Sequence, residues 1–451
     1  NASQEQNYTR FGEVRDDVVS AGLDFTWTLR ASGRQDAVIS AGLAWLDNDR
    51  EAEVREFRLL ALDGALPLEV QRQRVDFLLS DVNVGPGRLT LRETTGADGA
   101  AAYDAGLEVS AAYVQLDAEL VPLVRASIGV RYEDAEQFVT PRNLFGGPAP
   151  ASAPPLENDY LLPAATVTWN FCEDMQLRIG ASKTIGRPQF RELAPQQYVD
   201  PDSDRLFIGN PFLVDTEIIN LDARYEWYFD SGEFLTAGLF YKRLDRPIES
   251  IINDTGSTVQ QTFINAPEAR LYGAEVEIRK YFRPPIDAAW WGENRLFVAA
   301  NYTYTDSEVK VREGDLVFPL SGDGAPRRAV DLLRDGARLQ GQSRHLANVQ
   351  LGIENEARRT QITLLATHVG ERIAARGRPG QPDILQDPGT IVDLVIRQGF
   401  DAFGRELSFA LEARNLFRED FEEFQKLGGG RVDVNRYALG TGLSISLTAR
   451  F

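Results

Sequence analysis

The stretch Arg436–Phe451, RYALGTGLSISLTARF, decides the fold. Tyr437, Leu439, Leu443, Ile445, Leu447 and Phe451 share one parity, and small or polar residues fill the other. A period of two reads as a β-strand with one apolar face. A strand running to a terminal aromatic needs partners along its edges and an apolar medium outside it. An edge strand of a soluble sandwich is the competing reading. A closed barrel in a bilayer meets both needs, because every backbone group is then paired between strands.

The same alternation recurs back through the chain. Val19, Ala21, Leu23, Phe25, Trp27 and Leu29 share a face, as do Ile39, Ala41, Leu43 and Trp45. Leu107, Val109, Ala111 and Tyr113 follow, then Ala126 to Tyr132, Ala165 to Phe171 and Met175 to Ala181. Later runs lie at 221–229, 235–241, 272–278, 296–304, 347–353, 362–366, 391–397 and 407–413. They amount to about fifteen strands. Short turns, such as Leu120–Leu123, Cys172–Asp174 and Asp230–Gly232, alternate with long segments, such as 47–101, 140–159, 185–216 and 305–343. That is an up-and-down barrel with short turns on one rim and long loops on the other. Trp27, Trp169 and Trp227 fall beside short turns, whereas Trp45, Tyr241 and Tyr302 fall toward the long loops. With Phe451 they predict aromatic girdles at two membrane interfaces.

Composition agrees. The chain has 451 residues, a mean hydropathy of -0.28 and no apolar run long enough for a membrane helix. A barrel exposes only alternate residues to lipid, so its average hydropathy stays low. A net charge of -19 argues against a nucleic-acid partner. One cysteine, Cys172, and two histidines, His345 and His368, exclude an intrachain disulfide and a histidine-rich metal site. No nucleophile–base–orienter set, CxxC or P-loop is present, so neither enzyme chemistry nor a cofactor is expected. Asp200-Pro201-Asp202-Ser203-Asp204 has alternating acids but lacks the glycine and terminal glutamate of a calcium loop.

The segment Ser182-Lys183-Thr184-Ile185-Gly186-Arg187-Pro188-Gln189-Phe190-Arg191-Glu192-Leu193 resembles the strand-to-loop signature of TonB-dependent outer-membrane receptors. Gly209-Asn210-Pro211, Asn220-Leu221-Asp222, Leu239-Phe240-Tyr241-Lys242, Tyr272-Gly273-Ala274-Glu275-Val276-Glu277, Gly341-Gln342-Ser343, Gly370-Glu371-Arg372-Ile373 and Asn415-Leu416-Phe417 fit the same pattern in order. The likeness covers 160–451; earlier residues match only as barrel.

The resemblance implies a 22-stranded barrel in the outer membrane of a Gram-negative bacterium, with short periplasmic turns and long extracellular loops. It also implies an N-terminal plug, a segment that contacts TonB, and import of a scarce nutrient such as siderophore-bound iron, cobalamin or an oligosaccharide. About fifteen strands would leave about seven, with the plug, outside residues 1–451. An odd strand count points the same way, since bacterial single-chain barrels have even numbers.

Polar inward residues such as Asn220, Asp222, Arg224 and Glu226 would wet the lumen or hold the plug. Candidate substrate contacts lie in the long loops: Arg187, Gln189, Arg191, Tyr198, Arg205 and Phe207 in one, Arg327 and Arg328, with Arg334 and Arg338, in another. Arginine suits carboxylate or catecholate groups and aromatics suit flat ligands, although such arginines also pair with their own loop's acids. Two alternatives stay open. One is a passive 16-stranded porin with a further strand in 1–15 or 51–101. The other is a surface receptor or scaffold that transports nothing.

Overall fold

In the computed structural model the alternation resolves, among the described residues, into a path of fifteen antiparallel strands, each paired with the next, with one short strand, Leu89–Glu93, off that path. The structure describes residues 8–30, 36–62, 66–85, 88–96, 100–145, 152–199, 205–254, 259–283, 293–320, 325–402 and 404–450. The strands are β1 (Tyr8–Leu29), β2 (Ala37–Ala61), β3 (Ala102–Val121), β4 (Val124–Arg142), β5 (Leu156–Trp169), β6 (Met175–Gly186), β7 (Thr216–Asp230) and β8 (Glu233–Asp245). They continue with β9 (Glu268–Phe282), β10 (Arg295–Lys310), β11 (His345–Asn355), β12 (Thr360–Val369), β13 (Gly389–Ala402), β14 (Arg405–Arg414) and β15 (Gly442–Arg450). Among the described residues the two edges of this sheet, β1 and β15, are each laddered on one side. Helix among the described residues is limited to single turns, and no helix there is long and apolar enough to cross a membrane.

Register sorts the side chains by face. One outward row runs Ile179–Ala223–Leu239–Ala274–Tyr304 across β6, β7, β8, β9 and β10. The next runs Ala181–Leu221–Tyr241–Tyr272–Asp306. This face stays exposed: Trp27 keeps 70 % of its surface and Leu239 65 %. Trp169 and Trp227 lie close to the short turns, Trp45, Tyr241 and Tyr302 toward the long loops. Phe451 and the Asp200–Asp204 loop lie outside the described residues.

The inward face is polar in its middle. Asn220 donates to Thr184 Oγ1 at 3.0 Å and accepts from Lys242 Nζ at 2.8 Å. Arg224 lies 3.1 Å from Glu226, 3.8 Å from Glu275 and 3.7 Å from Glu277, and Asp222 packs over Gly180. Inward aromatics lie flat across glycines of neighbouring strands. A Cβ on Gly352 would meet the Phe297 ring at 2.0 Å, so the ring occupies the space a side chain would take.

Three expectations need correction. The 47–101 segment is not wholly a loop, because β2 continues to Ala61. Above the apolar band both faces of a strand are polar, and period-two hydrophobicity vanishes while the ladder goes on, as in the Asp16–Arg50 pair between β1 and β2. Leu107, Val109, Ala111 and Tyr113 face inward, not outward. Tyr113 opposes Gly42 and donates its hydroxyl to Asp24 at 2.7 Å, while Val114 and Leu116 are the exposed outward residues. The inward face of upper β3 packs on loop residues, which makes it the more apolar one. Finally, 436–451 is not one strand. Arg436–Ala438 belongs to a loop hairpin, Gly440 turns the chain at φ 67°, and β15 begins at Gly442.

Candidate functional site

The long loops fold inward over the mouth of the sheet. Two of their sheets have four strands each. One joins Gln197–Val199, Leu206–Ile208, Ile248–Asp254 and Val259–Asn265; the other joins Arg372–Ala375, Ile384–Gln386, Asp420–Leu427 and Gly430–Ala438. Phe190, Leu193, Leu213 and Phe263 of the loops are buried with Tyr103 and Ala105 of β3 and Val139 of β4. This apolar contact ties the canopy to the inner wall, since burying such side chains removes apolar surface from water.

The loop after β6 is built residue by residue for that contact. Arg187 reaches Glu133 of β4 at 2.9 Å, where Arg131 also donates at 2.7 Å. Gln189 caps the helical turn Phe190–Leu193: its side chain accepts from the Glu192 backbone, and its own N–H donates to Glu192 Oε2 at 2.8 Å. Burial pushes the Glu192 carboxyl above its ordinary range, against the pull of that N–H. Arg191 donates to Gln189 Oε1 at 2.8 Å and lies over the Tyr198 ring. Tyr198, Phe207 and Phe263 form a stacked series at 5.3 and 5.8 Å. Asn210 is fully buried and donates to the carbonyls of Phe263 and Phe318 at 2.8 and 2.7 Å.

Two buried ion pairs join the two loop sheets. Arg376, with no exposed surface, donates to Glu249, whose side chain is 2 % exposed. The Ile252 N–H donates to the Arg376 carbonyl at 3.0 Å. Burial raises the Glu249 carboxyl, with the Arg376 charge opposing it. The second pair is bidentate: Arg205 Nη1 and Nη2 donate to the two Glu423 oxygens at 3.0 and 3.1 Å.

Over that second pair opens a cleft of ≈ 430 Å³ lined by Arg205, Gln340, Arg372, Gln386, Phe421, Glu423 and Tyr437, among others. Of the sequence-predicted contacts, the structure brings Arg205 to this cleft. Arg187, Gln189, Arg191, Tyr198 and Phe207 are occupied in building the loop. Arg327 and Arg328 form a separate short ladder with Leu316–Val317, exposed, with Arg328 paired to Asp331 at 2.7 Å. Arg334 pairs with Asp383, and Arg338 lies 3.8 Å from Glu371. Sequence reading missed Gln340, Arg372, Gln386, Phe421 and Tyr437. Gly428-Gly429-Gly430 was the available signal, since adjacent glycines between two alternating runs mark a hairpin. Among the described residues no group of His, Cys, Asp and Glu could hold a metal ion.

The family model described as "TonB dependent receptor-like, beta-barrel" matches residues 1–416. No curated protein sequence matches the chain. Among solved structures, the siderophore receptor PiuA from Acinetobacter baumannii aligns with a TM-score of 0.58 at 13 % identity, over 97 % of this chain and 56 % of that one. The ferric yersiniabactin uptake receptor FyuA from Yersinia pestis gives 0.57 at 14 %, over 98 % and 56 %. The ferric citrate transporter FecA in its unliganded form gives 0.57 at 13 %, over 98 % and 55 %. The chain thus spans a little over half the length of these structures. At such identities the likeness is one of fold.

Proposed function

As the chain belongs to the TonB-dependent receptor β-barrel family, we propose that it forms most of the barrel wall of a receptor importing a scarce nutrient across a Gram-negative outer membrane. Members of that family are receptors and transporters, not enzymes. The fifteen strands serve as one sector of the barrel, with the apolar outward face in lipid and the edges β1 and β15 completed by further strands. A plug fills the lumen against Asn220, Asp222, Arg224 and Glu226. TonB, contacted through a segment outside 1–451, supplies the work that moves it. Substrate is a small chelate, cobalamin or a glycan held under the canopy.

One observation carries this reading. The long loops fold into sheets that pack on the inner wall and cover a polar lumen. A porin reading would favour a single inward constriction loop, whereas several loops here build two four-stranded sheets. The extra strand the porin reading asks for is also lacking among the described residues. Leu89–Glu93 ladders with the far end of β2, bridges to Val84 and has five residues, where about nine to eleven are needed to cross.

Uptake of labelled iron chelates, cobalamin and oligosaccharides by cells carrying the full-length receptor, with and without TonB, tests the proposal. Uptake of one class that needs both proteins is expected. Receptor-dependent uptake indifferent to TonB would support a passive pore instead. Surface display without any uptake would favour a non-transport receptor.

A further inference from the structure

We propose that the cleft over the Arg205–Glu423 pair binds a small organic anion, a carboxylate carried on a planar ring. Arg372 receives the carboxylate and the Phe421–Tyr437 step receives the ring. That this ligand is the imported substrate rests on the function proposed above; that the cleft binds it does not.

The charge of the lining selects an anion. Arg205 and Glu423 offset each other's charge through two parallel hydrogen bonds. The guanidinium of Arg372 is then the uncompensated charge in the cleft. Its Nε donates to Gln386 Oε1 at 2.8 Å, which fixes the plane of the fork. Among the described residues its two terminal nitrogens have no hydrogen-bond partner. A planar fork with two free donors matches a carboxylate edge to edge. Buried at the same cleft, the Nε of Arg205 also lacks a partner among the described residues.

The ring has its own seat. Phe421 and Tyr437 stack at 4.6 Å and 12°, and Tyr437 keeps 41 % of its surface exposed. A flat ring on the open face of the pair extends that stack. The cleft volume lies in the range of small-molecule sites.

Its walls are held before a ligand arrives. The Gln340 amide donates to Ser250 Oγ at 2.7 Å and to the Ala374 carbonyl at 2.6 Å, and it accepts from the Ser250 N–H at 2.8 Å. The Gly341 N–H donates to the Ile373 carbonyl at 2.9 Å. A preorganised cleft loses less freedom on binding. The same bonds disfavour a neutral sugar. Its many hydroxyls need free amides and carboxylates, and here Gln340, Gln386 and Glu423 are already engaged.

The test uses the full-length receptor in lipid nanodiscs and equilibrium dialysis against 2-naphthoate and its neutral amide, 2-naphthamide, with empty nanodiscs as reference. Naphthoate should bind at least about tenfold more tightly than the amide, as a charge-assisted bidentate contact requires. Arg372→Gln should bring naphthoate down to the level of the amide and leave the amide unchanged. Arg372→Lys should retain part of the preference, because a point charge lacks the fork. Tyr437→Ala should weaken both probes by a similar factor. Heat-modifiable migration on gels verifies that each variant is folded. Equal binding of acid and amide, no binding of either, or an acid preference that survives Arg372→Gln would overturn the proposal. Receptor function is read separately as TonB-dependent uptake. Arg372-dependent binding without such uptake removes the importer reading alone; uptake unaffected by Arg372→Gln removes the cleft as substrate seat alone.

Discussion

Arg376→Met should unlatch the two loop sheets. The side chains of Arg376 and Glu249 are 0 % and 2 % exposed, so solvent screening offers the pair little relief. Removing one partner of such a buried pair costs about 3–5 kcal/mol, because the other charge stays behind without compensation. At about 1.4 kcal/mol per decade, the opening equilibrium rises by roughly two to three and a half orders of magnitude. The Ile252 amide, bonded to the Arg376 carbonyl across the junction, is the reporter, and hydrogen exchange of the full-length receptor reads it. Glu249 gives the effect a pH signature. Its carboxyl is raised by burial, and without Arg376 nothing of comparable strength pulls it back. The closed canopy then binds a proton more readily than the open one. Closure is favoured as pH falls and is lost as pH rises through the raised value. Protection of Ile252 in Arg376→Met should therefore recover partly between pH 8 and pH 5, after correction for intrinsic exchange. The double variant Glu249→Met/Arg376→Met should close like the wild type and show no such dependence, since apolar replacement of both partners is close to neutral. A change of less than threefold in Ile252 protection for the single variant would refute the reasoning.

Three more outcomes follow from the wall itself. Leu239→Arg, on the outward face, should cost about 2–4 kcal/mol in reversible unfolding from vesicles, while Asn301→Arg, inward and opposite Glu277, should cost well under 1 kcal/mol. Gly352→Ala forces the Phe297 ring out of its place and should lower stability by about 1–3 kcal/mol in urea titration, with Phe297→Ala in the same chain recovering part of the loss. Glu56 is buried, which raises its carboxyl, but bonds from Arg10 and Arg58 at 2.6 Å and Thr94 at 2.8 Å outweigh that and hold it below its ordinary range. Its contribution is thus present above the unfolded carboxylate range and lost as pH falls through the lower folded value. Glu56→Gln should accordingly flatten the acid limb of exchange protection along upper β1 and β2.

How much could be read from sequence follows from which medium each segment meets. Where a strand crosses lipid, one face must be apolar and the other wet, and alternation at Leu221–Phe229 or Ala347–Ile353 carries that division openly. Above the band water touches both faces, so β2 beyond Trp45 looks like loop although the ladder runs on to Ala61. At β3 the rule inverts, because the canopy supplies Phe190 and Leu193 as an apolar medium on the inside. No local pattern announces that inversion, since it depends on residues nearly ninety positions away. The cleft was hidden for a related reason. Arg205 and Glu423 are 218 positions apart, and Tyr437 alternates in phase with the closing strand from which Gly440 separates it.

Net charge misleads about the ligand for the same reason of place. One row of acids lies on the outward face just above the apolar band. There Asp47, Glu108, Glu136 and Glu157 stand in one cross-strand row over β2, β3, β4 and β5. Like charges so paired repel, and an outward row open to solvent is where that costs least. Three acids of the canopy, by contrast, are consumed in pairs: Glu249 by Arg376, Glu423 by Arg205, Asp383 by Arg334. Among the described residues the Arg372 fork remains unpaired at the cleft. A chain of charge -19 can therefore present a locally cationic seat, because the attraction that decides binding acts over a few ångströms while the distant acids are screened by salt.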